Sequence, residues 1–446
     1  MSRSDTASGT LVTEPIALPL PSAVSVRGPS RRMFWLIGGS LAVLDQGLIA
    51  SSNFAIGILL ARWLLPEQYG SYALAFAIFL LLSFSYQALL LEPQRVFGPS
   101  DYSARQPEYL GVLLSIHSGL ALAIFLALAL SAWMMHIFGR ADGLPGALAG
   151  VAFAAPCVLL SWLVRSAFYV RMSPRHAVWG SAVYCAIVFV GLLLVHRLRL
   201  LSPFSAFLLM GVAALISSAV LLVRLKPVFK LGTSGLGWRA VLQQHWKYGS
   251  WILVSLVLSW LAGDIYYPVV SFFSGLAAAG ELKALLNFYL PVAQTFSALT
   301  LFVLPHASRV YRESGVIALD ALTWRMAWLF AAAAGAYWAV LILLSKPVMH
   351  LLYGERYAGL APLVPLVAAA SLPWNIATVP SIALRAMRSS PSILAIYCVS
   401  SAIAVLIGVP LTRAFGLHGA LSGLLLSNLA TLLVAWMLVN RKLRNA

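Results

Sequence analysis

Apolar runs of about 20 residues or more recur along the whole chain and are separated by short polar segments. A helix of about 20 apolar residues crosses the hydrocarbon core of a membrane. The pattern predicts twelve spans, at 35–61, 70–91, 110–138, 147–170, 177–196, 203–223, 248–272, 284–305, 321–345, 360–384, 392–413 and 417–439. The predicted fold class is therefore all-α, a polytopic membrane protein with about twelve transmembrane helices.

The spans divide the chain into five predicted segments. Residues 1–33 are polar and contain several prolines, which favours a disordered tail. Six helices form an N-terminal lobe at 34–225, and six more form a C-terminal lobe at 248–440. A basic linker at 226–247 joins the two lobes, and residues 441–446 form a second tail.

A weak internal repeat relates the two halves. QRVF at 94–97 and SRVY at 308–311 follow spans two and eight, and Gly70 and Gly280 lie near the starts of the same spans. RMSP at 171–174 and RSSP at 388–391 follow spans four and ten. Six spans per half give both halves the same orientation, so the repeats are parallel. Two such lobes around a central cavity suit alternating access.

Charge adds an orientation to this picture. The chain is 61% hydrophobic and 10% charged, with a mean hydropathy of +0.89. The net charge of +17 could indicate a nucleic-acid partner. However, Lys and Arg accumulate in cytoplasmic loops of membrane proteins. With both termini in the cytoplasm, the cytoplasmic segments hold 21 of these residues and the outside loops 8. We therefore expect cytoplasmic termini and no nucleic acid.

The sequence lacks the common motifs of enzymes and metal sites. There is no Gly-Lys dipeptide for a phosphate-binding loop, no His-Glu-x-x-His, no Cys-x-x-Cys and no Gly-x-Ser-x-Gly. The predicted outer loops are short and offer no pair of acids for general acid–base chemistry. Cys157, Cys185 and Cys398 all fall in apolar runs and are expected to be small buried residues. We expect no enzyme, no metal and no cofactor other than an ion gradient.

Four segments resemble Wzx-type polysaccharide flippases of the multidrug/oligosaccharidyl-lipid/polysaccharide exporter (MOP) superfamily. The first, ILLARWLLPEQYGSYALAF at 58–76, resembles their Leu-x-Pro-x-x-(Tyr/Phe)-Gly turn into the second helix. The others are LLYGERYAGLAPLVPLVA at 351–368, ALRAMRSSP at 383–391 and FGLHGALSGLLLSNL at 415–429. The family often has an Asp-Arg pair on helix seven. Here Ile265 follows Asp264, so a role that needs this Arg is not carried over.

The resemblance implies a substrate and a place. Such proteins move an oligosaccharide on a polyprenyl-pyrophosphate carrier from the cytoplasmic to the periplasmic leaflet of the bacterial inner membrane. The product would be a surface or secreted polysaccharide, such as O-antigen or exopolysaccharide. Expected partners are the lipid-linked oligosaccharide and membrane lipids, and they could include a polysaccharide polymerase and a chain-length regulator. The transport unit is expected to be a monomer.

Polar residues within the spans are the candidate site, because ionisable groups in a membrane face the protein interior. Asp45, Gln46 and Asn53 share a polar face of span one with Ser52, which predicts cavity lining or contacts between helices. Asp45 and Asp264 are the candidate sites for coupling to a proton or sodium gradient. Asn375 follows Pro373, which predicts a bend in span ten.

Two arginines and one aromatic stripe complete the candidate cavity. Arg165 and Arg385 lie near the cytoplasmic ends of spans four and ten, where they could bind the pyrophosphate or simply anchor the helices. Trp260, Asp264 and Tyr267 follow the spacing of one helical face, as does Ser271. This stripe predicts a surface for sugar rings and hydroxyls. An aromatic belt at the membrane interface is the alternative.

Three other functions fit the sequence less well. A drug-type exporter of the same superfamily would need more acids in the cavity for a cationic substrate. A membrane glycan polymerase or ligase would need a long outer loop. A scaffold in a polysaccharide assembly complex would need no transport cavity.

Overall fold

The computed structural model describes residues 29–139, 143–229, 236–387 and 389–444. All secondary structure in these ranges is helical. The N-terminal half contains α1 (Pro29–Trp63), α2 (Pro66–Tyr86), α3 (Glu92–Phe97), α4 (Gln106–Ile137), α5 (Leu144–Val170), α6 (Pro174–Arg197) and α7 (Pro203–Leu225). The C-terminal half contains α8 (Trp238–Gly263), α9 (Tyr266–Ser274), α10 (Leu276–Asn287), α11 (Tyr289–Leu343), α12 (Ser345–Tyr353), α13 (Glu355–Ala358), α14 (Val364–Ala386), α15 (Ser390–Ile403) and α16 (Val409–Arg444).

Ten helical segments in the described residues are long and apolar enough to cross a membrane. Two of them, Tyr289–Leu343 with 55 residues and Pro391–Arg444 with 54, are each twice the length that one crossing needs. Each contains a glycine with non-helical backbone angles, Gly315 at φ 76° and Gly416 at φ 55°. Glycine accepts positive φ without a Cβ clash, so the chain reverses there. Counting each as two crossings gives the predicted twelve, and the all-α multi-pass fold is confirmed.

The boundaries differ from the predicted spans in three places. Helix α1 begins at Pro29, inside the tail predicted at 1–33, and residues 1–28 lie outside the described ranges. Helix α8 begins at Trp238, within the segment predicted as a linker. Helix α10 begins at Leu276, before the span predicted to start at residue 284, and it carries Lys283, which is only 8% exposed.

Each lobe packs around one central helix. Helix α5 contacts α4, α6 and α7 in the N-terminal lobe, and α14 contacts α11, α15 and α16 in the C-terminal lobe. Small residues allow this packing: a Cβ on Gly211 of α7 would lie 2.9 Å from the Cα of Ala154 on α5. Close approach of small residues drives helix association in membranes, where lipid offers no hydrophobic force between helices.

The two lobes touch at a crossing of α2 and α10. A Cβ on Gly70 would lie 1.7 Å from the carbonyl oxygen of Leu276, and a Cβ on Gly280 would lie 2.8 Å from that of Pro66. Only glycine permits this approach on both helices. The repeat that paired these two glycines in sequence therefore places them against each other in space.

Throughout, the outer end means the membrane side at which α1 ends, following the predicted orientation. The inner end is the opposite side.

Candidate functional site

A cavity of about 390 Å³ lies between the two lobes. Helices of both halves line it: α1 and α2 from the N-terminal lobe, and α8, α9, α10, α11, α14 and α16 from the C-terminal lobe. Among the described lining residues, only Asp264 and Lys283 carry charge. In transporters built from two structural repeats, substrate sites lie at such an interface.

Lys283 is held in this cavity by aromatic rings. Its Nζ lies 4.6 Å from the centre of the Phe76 ring and 5.7 Å from that of Tyr267. An ammonium group over an aromatic face gains roughly 0.5–2 kcal/mol, more as water is removed. The two rings come from opposite lobes, so the lysine sits at the seam between them. Its charge is compensated by rings and a nearby acid while its N–H donors remain available to a ligand.

Asp264 lies at a break in a membrane helix. Helix α8 ends at Gly263 and α9 begins at Tyr266; the Asp264 N–H still donates to the Trp260 carbonyl at 2.8 Å. Irregular backbone within a membrane is tolerated where it lines a cavity. Asp264 is half-buried and lies within electrostatic range of Lys283. The break thus brings an acid and a base to one cavity.

The rest of the lining combines amide and aromatic side chains. Asn53, Gln294 and Asn428 offer hydrogen bonds, and the Asn428 Nδ2 donates to the Ala370 carbonyl at 2.8 Å. The aromatic members are Tyr72, Phe76, Phe84, Tyr267, Tyr289 and Trp374. Such a surface can accept both the hydroxyls and the apolar faces of sugar rings.

The predicted aromatic stripe is divided by the helix break. Asp264 and Tyr267 line the cavity, whereas Trp260 packs against the other lobe and its Nε1 donates to the Ala77 carbonyl at 3.0 Å. Trp260 therefore joins the lobes and does not reach the cavity lining.

Asp45 and Arg165 bind each other within the N-terminal lobe. Arg165 Nη2 lies 2.5 Å from Asp45 Oδ2, and the Asp45 side chain is fully buried. Tyr169 Oη donates to the same oxygen at 2.5 Å, and Ser181 Oγ donates to Oδ1. The pair lies among α1, α5 and α6 and does not line the cavity. Its charges are compensated internally, so neither is free for a ligand in this conformation.

Replacing Asp45 with alanine is expected to destabilise the protein by about 3 kcal/mol or more, because Arg165 would remain buried without its partner. Thermal unfolding in detergent, followed by tryptophan fluorescence, would measure the loss. Gln46→Ala is the matched control, since Gln46 is the exposed neighbour. The double variant Asp45→Ala/Arg165→Met should recover part of the stability. Equal melting of Asp45→Ala and the parent would contradict a structural role for the pair.

The other predicted residues lie in separate places. Asn53 faces the cavity, while Gln46, also exposed, is absent from its described lining. Asn375 is buried in α14, and its Nδ2 has no hydrogen-bond partner among the described residues. Arg385 is exposed near the inner end of α14 and does not line the cavity.

The outer end of the cavity is closed by contacts between lobes. Asn287 Nδ2 donates to Tyr69 Oη of the N-terminal lobe at 3.0 Å, and within its own lobe it also donates to Tyr353 Oη at 3.4 Å. Two arginines add contacts to backbone: Arg62 donates to the Leu351 carbonyl at 3.1 Å, and Arg356 donates to that of Leu64. We call these contacts the outer seal.

A second line of contacts joins α2, the short helical segment Gln87–Leu91 that follows it, and α4 to α8. His245 Nδ1 donates to the Leu89 carbonyl at 3.0 Å, so its Nε2 accepts from Tyr109 Oη at 2.7 Å. Next to it, Gln244 Nε2 donates to Asp101 at 2.7 Å. With the Trp260–Ala77 hydrogen bond, these contacts close one side of the molecule from the cavity level to the inner end. We call them the lateral seam.

Part of α1 is exposed before the level of the cavity. Leu44 is 51% exposed, and Val43 and Gln46 are also accessible. Contacts with the C-terminal lobe are found at the outer end of α1, where Gly57 packs against Asn287 and where Arg62 and the following Leu64 form hydrogen bonds. The lobes are thus sealed at the outer end, whereas Val43, Leu44 and Gln46 of α1 are exposed.

Sequence reasoning missed Lys283 and the outer seal. Lys283 stands at the start of an apolar run, where a basic residue suggests a loop. The available signal was that Asp264, an acid in a predicted membrane span, needs a basic partner, and Lys283 is a basic residue next to the following span. Asn287, Tyr69 and Tyr353 gave no signal because their partners are 66 or more residues away in the chain.

Similar solved structures are transporters. The chain superposes on an inward-facing multidrug resistance transporter of the MATE family of the MOP superfamily with a TM-score of 0.74 and 14% identity, covering 90% of this chain and 95% of that chain. For an outward-facing multidrug resistance transporter of the MATE family, the TM-score is 0.65 at 13% identity, and the match covers 94% of this chain and 97% of that chain. For the lipid II flippase MurJ, inward closed, it is 0.68 at 14% identity, with 92% and 87% covered.

No protein-family model and no curated protein sequence matches the chain. The structural likeness defines the class: this is a multi-pass membrane protein with the fold of MOP superfamily transporters.

Proposed function

We propose that the protein is a flippase that moves polyprenyl-pyrophosphate-linked oligosaccharides across the bacterial inner membrane by alternating access, and that it is not an enzyme. The observation that carries the proposal is the interlobe cavity, in which Lys283 sits between aromatic rings next to Asp264. MurJ, which has the same fold, is a lipid II flippase. The four segments that resemble Wzx-type proteins support the narrower substrate class.

The chemistry of the cavity suits the head of such a lipid. A sugar pyrophosphate is expensive to move through hydrocarbon, because its charges and hydroxyls would lose their hydrogen bonds. Lys283 can donate to a phosphate oxygen, and the aromatic rings can stack on sugars. A cavity of about 390 Å³ would hold the pyrophosphate and the first sugars, with the remaining glycan extending toward the inner end. The lipid tail would stay in the membrane.

The outer seal supports an inward-open resting state in this scheme. The higher TM-score against the inward-facing MATE-family structure is consistent with it. In such a state the lipid-linked sugar enters from the cytoplasmic leaflet, and opening of the outer seal releases it to the periplasmic leaflet. Both termini would then lie in the cytoplasm, as the distribution of Lys and Arg predicts.

Reconstitution into liposomes tests the proposal. The substrate is a polyprenyl-pyrophosphate oligosaccharide with a fluorescent label on its sugar, and dithionite bleaches label on the outer surface only. With the protein present, nearly all label should be bleached, because inner-leaflet molecules reach the outside. In protein-free liposomes, bleaching should stop once the fraction of labelled lipid in the outer leaflet, about half, has been bleached.

Two controls separate the alternatives. Labelled phosphatidylcholine in the inner leaflet should remain protected from dithionite. Its bleaching would show that the protein scrambles lipids in general and has no specificity for the sugar lipid. A fluorescent organic cation enclosed in the same liposomes should also be retained. Transport of the cation without movement of the sugar lipid would favour a drug-type exporter. Elongation of the glycan during incubation would favour a polymerase.

In cells, deletion of the gene should trap lipid-linked repeat units on the cytoplasmic leaflet.

A gradient of protons or sodium could drive the cycle through the cavity acid. Of the two candidate acids, Asp45 is already paired with Arg165, whereas Asp264 faces the cavity. We expect Asp264→Asn to remove the dependence of flipping on an imposed gradient, and Asp45→Asn to act mainly through stability. Flipping by Asp264→Asn that still responds fully to the gradient would contradict this.

A polysaccharide polymerase and a chain-length regulator are the proposed protein partners, since both act on the flipped substrate.

A further inference from the structure

A second pocket lies on the lipid-facing side of the N-terminal lobe, between α6 and α7 at the inner end. Its volume is about 530 Å³. Arg175 and His176 from the first turn of α6 and Arg224 from the last turn of α7 line it. This pocket is separate from the interlobe cavity, and the transport scheme does not use it.

The positive charge of this pocket is not neutralised by the protein. The chain has no acidic residue between Asp142 and Asp264, which includes all of α6 and α7. Within the described residues, neither guanidinium has a hydrogen bond or an ion pair, both arginines are exposed, and the His176 ring stacks on Phe168. Both arginines lie within electrostatic range of His176. An anion bound between these basic side chains would reduce their mutual repulsion, so the pocket favours an anionic ligand.

The wall toward the membrane centre is apolar. Arg175, Trp179 and Val183 follow each other at four-residue intervals on one face of α6, and Val220 and Arg224 do so on α7. Trp179 is 71% exposed and Val220 is 51% exposed. The two helices are antiparallel, so both basic ends lie at the inner end and both apolar stretches lie deeper. A ligand that fits this arrangement has an anionic head and a hydrocarbon chain.

We propose that an anionic phospholipid binds between α6 and α7. Its phosphate lies between Arg175 and Arg224, which match phosphate oxygens with paired N–H donors. One acyl chain lies along Trp179 and Val220. Basic pockets between membrane helices on the cytoplasmic side suit such head groups, and tryptophan is favoured at this depth. Zwitterionic lipids fit poorly, because their cationic group would face three basic side chains. The proposal does not depend on the transported substrate.

Native mass spectrometry of the purified protein tests the site with phosphatidylglycerol as the probe. We expect Arg175→Gln/Arg224→Gln to weaken its binding by about tenfold, since each basic residue near the surface contributes to anionic lipid binding. The matched control is Arg309→Gln/Arg312→Gln, which removes the same charge from exposed residues of α11 on the same predicted side. This control should bind as the parent does.

Three further results decide the assignment. Trp179→Ala should also weaken phosphatidylglycerol binding, because the acyl chain loses its wall. Phosphatidylcholine should bind more weakly than phosphatidylglycerol, and inorganic phosphate should fail to displace the lipid. Equal losses in the two double variants, equal binding of the two lipids, full displacement by phosphate, or no effect of Trp179→Ala would each overturn the proposal.

Discussion

Replacing Lys283 with methionine is expected to reduce flipping of a sugar-pyrophosphate lipid by more than about tenfold. The ammonium group is the only cationic group among the described residues that line the cavity. A hydrogen bond to a charged group contributes roughly 1.5–3 kcal/mol, which corresponds to about tenfold to a hundredfold in binding. Methionine keeps an unbranched side chain of similar length and removes the Nζ ammonium that lies over Phe76 and Tyr267, so the loss reports on charge.

Two variants make this result specific. Lys283→Arg keeps the charge and should retain part of the activity. Lys346→Met removes an exposed lysine at the outer end and should leave flipping unchanged. The dithionite assay at several substrate concentrations would show the defect as a raised apparent KM. A thermal unfolding experiment would show whether the Lys283→Met variant is folded. Normal flipping by the folded variant would refute a role for Lys283 in substrate binding.

Linking the lobes at the outer seal is expected to stop transport completely. A Cβ on Gly57 would lie 3.3 Å from Asn287 Cγ, which is within reach of a disulfide between cysteines at these positions. In a background with Cys157, Cys185 and Cys398 replaced by alanine, Gly57→Cys/Asn287→Cys should flip substrate under reducing conditions and lose activity on oxidation. The physical reason is that alternating access requires this end to open.

A matched pair within one lobe controls for the chemistry. A Cβ on Gly191 of α6 would also lie 3.3 Å from the Cγ of its neighbour, Leu209 of α7. Oxidised Gly191→Cys/Leu209→Cys should remain active, because α6 and α7 belong to the same lobe. The extent of cross-linking is read from free-thiol labelling before and after oxidation. Full activity of the cross-linked Gly57/Asn287 variant would refute transport through opening of the outer seal.

The fold was largely predictable because membrane burial is a property of single segments. Each helix must satisfy its own backbone and match the thickness of the bilayer, so apolar length alone located the crossings. The two reversals within long helices, at Gly315 and Gly416, also fell between predicted spans. The charge distribution and the internal repeat then suggested two lobes of the same orientation.

The site was less predictable because it depends on which helices meet. The sequence could mark Asp45 and Arg165 as unusual, but not that residues 120 positions apart neutralise each other. Asp264 and Tyr267 were marked as one helical face, whereas the helix breaks between them and turns Trp260 to the other lobe. Gly263 and Pro268, which lie on either side of the break, were the available signals, because glycine and proline weaken a helix.

The lateral seam restricts the directions from which a lipid can reach the protein. Under the proposed function, and since α8 is bound to α2 and α4 on one side, the lipid tail would reach the cavity from the side where Val43, Leu44 and Gln46 of α1 are exposed. Arrival and departure would then share one sector of the surrounding bilayer. An enzyme that hands over the lipid would gain most by standing in that sector, and a neighbour docked against α8 would leave it clear.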